Sequence, residues 1–207
     1  MRLGLALFSS LVLCYSSSFI QPAAASTYVT IDDTYGDSTT GVLPIYSLDW
    51  NVGQDCPACA IIPDASQAFM GSWHDTTSNN PVDSVPHRVN LTFKGVPGCT
   101  HLHSADSLIA QLGTAIWVYC ILANFEKRGI TTYTNASFEL DGSPEDTYSH
   151  DPDGPTDDFK YNVTVYSKTG LSDAEHTLVM TAGQGTNASL LLFDWALYMQ
   201  VIFQCTI

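Results

Sequence analysis

Positive charge is scarce in this chain: 7 Lys and Arg residues stand against 21 Asp and Glu over 207 residues, a formal net charge of −14. So acidic a surface repels phosphate backbones and anionic headgroups, which disfavours nucleic acid and anionic membrane surfaces as partners. Glutamate is also rare, occurring at Glu126, Glu139, Glu145 and Glu175. The paired carboxylates of a polysaccharide hydrolase would therefore have to be drawn mostly from loop aspartates. No Gly-x-Ser-x-Gly elbow occurs, and no amphipathic helical period is evident. After the first residues there is no uncharged apolar run long enough to cross a bilayer, since Asp194 interrupts Leu190 to Phe203.

What is present begins with Arg2, an apolar stretch from Leu3 to Leu13, and small residues at Ala23, Ala24 and Ala25. This is the layout of a secretory signal peptide over residues 1–25, with Ser26 as the first mature residue. Residues 26–207 are read as a single domain, long enough to bury a sizeable core. Four Asn-X-Ser/Thr sequons, at Asn90, Asn135, Asn162 and Asn187, fit a glycoprotein on a secretory route.

The run Thr114 to Asn124, TAIWVYCILAN, is the strongest strand signal. Alternation sends Ile116, Val118, Cys120 and Leu122 to one face and Ala115, Trp117 and Tyr119 to the other. Further strands are expected at 27–31, 67–73, 87–93, 130–140, 161–168, 175–181 and 189–198, with turn residues between them. The acidic stretch 141–158 reads as a solvated loop. About eight to ten short strands without helices predict an all-β sandwich or barrel.

Several residues invite chemistry. Asp32, Asp33 and Asp37 follow the first strand; they suit turn formation and are also candidate ligands for a structural calcium ion. Loop aromatics beside polar groups suit sugar rings, which places Trp50, Trp73, His74 and Asp75 as candidate ligand-binding residues. Cys56-Pro-Ala-Cys59 lacks the strand-to-helix setting of a redox centre and reads as a local disulfide.

Residues 96–113 break what is otherwise a tight connection between two strands. Cys99, His101 and His103 there suggest metal, but a fourth ligand is not evident. We read the segment as an insertion outside the core and as translated intron, because valine codons begin with GT and a glutamine codon can end in AG, bounding Val96 to Gln111. Residues 201–207 are read as a similar doubtful tail. Setting Cys99 aside leaves an even number of mature cysteines, pairing Cys56 with Cys59 and Cys120 with Cys205.

With that insertion set aside, VTIDDTYGD, MGSWHDTT, VNLTFKG running into TAIWVYCILAN, FELDG, VYSKTGLSDAEHTLVM and LLLFDWALY appear in order. This pattern resembles the secreted and membrane-tethered fungal proteins, common in mushroom-forming species, whose ectodomain is a galactose-binding-like jelly roll. The resemblance covers roughly residues 29–198 and implies a jelly-roll β-sandwich of a carbohydrate-binding type. Members often continue into a Ser/Pro-rich linker and one transmembrane helix, so the resemblance implies a secreted location, or a cell-surface one where an anchor follows.

Three functions are open on these residues. The expected one is a non-catalytic module that binds glycan or cell-wall polysaccharide, without a cofactor beyond the calcium considered above. The others are a structural or adhesive ectodomain, and a jelly-roll hydrolase or lyase, for which Asp194 and His176 are the first candidates.

Overall fold

The computed structural model describes residues 24–79, 83, 85–94, 114–154, 158–183 and 187–203. The proposed insertion and Cys205 lie outside them. Among the described residues, twelve strands form two antiparallel sheets. The first sheet joins β10 (Phe159–Leu171), β7 (Thr114–Ala123), β12 (Ser189–Phe203), β1 (Ala24–Asp32) and β2 (Gly36–Asp37), with β5 (His74–Ser78) on β12 and β4 (Asn51–Val52) on β5. The second runs β3 (Ile45–Tyr46), β6 (Arg88–Lys94), β11 (Glu175–Ala182), β8 (Thr134–Leu140) and β9 (Ser143–His150). From β5 to β8, and again from β10 to β12, each successive strand crosses to the other sheet. That winding is the jelly roll of a β-sandwich.

The core follows from alternation. Val89, Leu91 and Phe93 of β6, Ile116, Val118, Cys120 and Leu122 of β7, and Leu178 and Met180 of β11 all point between the sheets and are buried. Each large side chain so placed stabilises the fold by roughly 1.5–3 kcal/mol. β12 adds Leu191 and Phe193, then Ala196 and Tyr198. The inward set changes parity because the register shifts between Phe193 and Trp195. A bulge of this kind leaves one residue out of step and bends the strand. The residue concerned is Asp194.

A second buried cluster lies on the outer side of the first sheet, where Trp73, Ile61 and Phe125 cover Ile121, Leu190 and Leu192. Trp73, named as a candidate ligand-binding residue, is 1% exposed and belongs to this cluster, the core position a tryptophan more often takes. It lies so close over Gly53 that a Cβ there would sit 1.9 Å from its indole nitrogen. Residues 67–73 are likewise not a strand. A short 3₁₀ turn at Phe69–Gly71, with Met70 at φ 51°, folds that segment over the sheet.

Two further expectations are corrected. The acidic stretch 141–158 contains β9, which pairs with β8 and is mostly exposed. Its acidic side chains suit an edge strand, where charge resists pairing with another chain. Cys120 is a free thiol, wholly buried, and not bridged to Cys205. In register Cys120 lies opposite Phe193 of β12. The Cys56–Cys59 bridge is formed as expected.

Candidate functional site

The bulge in β12 explains a meeting of polar groups. β5 pairs with β12 up to Phe193, and β1 pairs along the same edge from Trp195 onward. The end of β1 and the start of β5 therefore abut at Asp194. Asp33 donates its backbone N–H to the Asp194 carbonyl at 3.2 Å. The Asp33 carboxylate accepts from Ser72 Oγ at 2.6 Å and meets His74 Nδ1 at 2.6 Å. Tyr46 stacks on the His74 ring at 4.1 Å and donates its hydroxyl to the Asp33 carbonyl at 2.8 Å. Trp50 is half-buried and packs on Tyr46, its ring centroid 5.1 Å away. His74 and Trp50, both expected at a ligand site, instead support the inside of this corner.

Asp194 is fully buried. One of its oxygens accepts from the Phe69 backbone N–H at 2.9 Å, and the other has no partner. Burial, with the nearby charges of Asp33 and Asp32 adding to it, pushes its carboxyl up to about 7. Asp32 is also raised, by burial first, although its Oδ1 accepts from the backbone N–H groups of Thr34 and Tyr35.

The expected calcium ligands Asp32, Asp33 and Asp37 do not converge. Asp37 turns away to cap Thr39 and Thr40 through Oδ1 and accepts from Tyr198 through Oδ2 at 2.6 Å. Among the described residues no three His, Cys, Asp or Glu side chains are grouped so as to hold a metal ion. Turn chemistry prevails at Asp32 and Asp37, which find backbone donors within a few residues, whereas Asp33 is taken up by the side chains of Thr34, Ser72 and His74. The hydrolase candidates also separate, since His176 meets Asp141 at 2.7 Å rather than Asp194.

Asp75 is different. Neighbours on a strand face opposite ways, so where His74 turns to the corner, Asp75 turns to the outer side of the sheet. There it lines a cavity of about 270 Å³ with Asn51, Thr77, Thr131, Ile61, Ile130 and Leu190, and Cys59 of the disulfide closes one margin. The pairing of β4 with β5 sets Asn51 opposite Asp75, and the Asn51 amide donates to Asp75 Oδ2 at 3.1 Å. Asp75 is 7% exposed, and its Oδ1 has no partner. Burial raises its carboxyl above the ordinary value, and the Asn51 bond opposes this. A buried acceptor without a donor is costly, so a hydroxyl or amide delivered by a ligand gains that interaction at little further desolvation.

A second surface escaped the sequence reading. On the outer side of the first sheet Phe69, Trp195 and Tyr119 stack in a row, with centroids 4.6 and 4.3 Å apart. Trp117 and Tyr28 continue the aromatic surface, their centroids 6.2 Å apart. Alternation placed Trp117 and Tyr119 on this side, but only the pairing of β7 with β12 brings Trp195 opposite Tyr119.

Fold and cavity together define a β-sandwich of the jelly-roll class with a recessed polar cavity beside its outer cluster. No family model matches the sequence, and no curated protein matches it. Among solved structures, a family 35 carbohydrate-binding module from Clostridium thermocellum is similar, with a TM-score of 0.46 and 8% identity over 83% of this chain and 97% of that one. A family 35 module from Cellvibrio japonicus gives a TM-score of 0.44 and 11% identity over 87% and 100%. An exo-β-1,3-galactanase from Phanerochaete chrysosporium, solved with β-1,3-galactotriose, gives 0.43 and 15% over 83% of this chain and 29% of the enzyme. The chain thus spans less than a third of the galactanase.

Proposed function

We propose that this chain is a secreted, non-catalytic module that binds neutral glycan, of the kind found in cell-wall polysaccharide, in the cavity beside Asp75. The observation that carries the reading is Asp75 in the cavity lining, with its buried Oδ1 unpartnered and Asn51 holding the other oxygen in place. A sugar hydroxyl donates to Oδ1; the hydroxyls of Thr77 and Thr131 supply donors and acceptors nearby; Ile61, Ile130 and Leu190 meet the C–H face of the ring. The cavity is at the small end for ligand sites, which suits one sugar unit at a chain end.

The non-catalytic part of the reading rests on the lining. Asp75 is the one carboxylate among the cavity's lining residues, whereas glycosidic hydrolysis ordinarily uses two flanking the bond. The secreted part rests on the leader and sequons of the sequence.

The full chain, made in a secreting host, should retain a neutral glycan on an array of oligosaccharides and wall polysaccharides. Asp75→Asn keeps the shape of the site and removes the charge. Since a hydrogen bond to a charged group is worth about 1.5–3 kcal/mol, affinity should fall roughly 10- to 100-fold. Equal binding by the Asp75→Asn protein, or no retention of any glycan by a folded wild-type chain, would sink the proposal.

A further inference from the structure

The four sequons are not equivalent in the folded chain. Asn135 is half-buried with its side chain pressed on Gly183, where a Cβ would come within 2.9 Å of its Nδ2. Asn90 is half-buried between Ile45 of β3 and Val179 of β11. Asn187 is exposed, in the approach to β12. Asn162 alone among them combines exposure with a left-handed backbone, φ 54°, at a shift of register in β10.

Asn162 also has an unusual partner. The Trp195 indole N–H donates to its Oδ1 at 3.0 Å, across the width of β7. That bond fixes the amide plane over the aromatic row and leaves Nδ2 directed elsewhere. Phe69 and Tyr119 cover the two faces of Trp195, so the next ring face in the row is the side of Tyr119 turned toward β10. Directly opposite Tyr119 on β10 is the sequon's own Thr164, which is exposed.

We infer that Asn162 carries an N-linked glycan whose first sugar rests on Tyr119, extending the row Phe69, Trp195 and Tyr119 by one apolar sugar face. The amide nitrogen attacks the anomeric carbon of a lipid-linked oligosaccharyl pyrophosphate, the donor class of the secretory route. The N–C bond forms, the C–O bond to pyrophosphate breaks, and one amide proton leaves. The remaining amide carbonyl keeps its bond from Trp195, so attachment and the observed geometry are compatible. The sugar covers a ring otherwise open to water, and the indole bond holds its linkage in one orientation.

The test uses the full chain from a glycosylating secretory host and, in parallel, from a bacterial host. Glycopeptide mapping should find Asn162 occupied and Asn135 unmodified. Thr164→Ala abolishes the sequon without touching the left-handed residue; it should lower Tm by about 2–4 °C more in the glycosylating host than in the bacterial one. Trimming the wild-type glycan to its first sugar should retain that difference, and Trp195→Phe, which keeps the ring but removes the donor, should reduce it. An unoccupied Asn162, or an equal effect of Thr164→Ala in both hosts, overturns the inference.

Discussion

At the scale of single residues, the strongest consequence belongs to Asp194. Its carboxyl, pushed up to about 7 by burial, holds a proton in the folded chain that the unfolded chain releases near 4. Below pH 4 both states are protonated. Between about 4 and 7 only the folded state is, so rising pH favours unfolding; above 7 the loss is complete. Asp32, also raised, acts with the same sign. So does His176, where burial is outweighed by the Asp141 carboxylate and the Ser172 carbonyl, and whose contribution is lost as pH rises through its raised value. Tm should therefore fall between pH 5 and 8. Asp194→Asn, which still accepts from the Phe69 N–H, should flatten most of that slope and raise stability at pH 8 by roughly 2–4 kcal/mol. A chemical-denaturation series across pH checks both statements, and an unchanged slope in the variant would refute them.

At the scale of elements, alternation in the sequence was enough to find most strands, because β6, β8 and β11 each bury every second residue. It also assigned the two faces of β7 correctly. What it could not show was pairing. The corner of Asp33, Ser72, His74 and Asp194 joins residues up to 161 positions apart, and Trp73 is buried by a loop whose path has no local period. β9 went unseen because an edge strand facing water carries the composition of a loop. Asp75 was legible as a polar residue beside a tryptophan, but Asn51 as its partner depends on the short pairing of β4 with β5. The same scale governs the loop around the cavity. The Cys56–Cys59 bridge closes a loop of sequence separation 3, so its effect on the unfolded chain is small, about 2 kcal/mol. Replacing both cysteines by serine should cost no more than that in global stability while weakening ligand binding, because Cys59 borders the cavity. Calorimetric unfolding and array binding on the same variant separate the two effects.

At the scale of the whole molecule, the jelly roll was implied by the family resemblance and is present in the crossing of strands between sheets. The position of the candidate site was not implied, since the cavity depends on the pairing of β4 with β5 against the outer side of a sheet. The two ends of β12 are far apart in what they do. Near its start Leu192 lies opposite Asp75, and at its far end Phe203 lies opposite Ala24, some 36 Å away at about 3.3 Å per residue. Immobilising the chain through either terminus should therefore leave glycan affinity unchanged, which surface-bound and free-solution titrations compare directly. The pairing of β1 with β12 thus gives the domain a polarity: Ala24 and Phe203 close one end of the long strand pair, and Asp75 lies against the opposite end of β12.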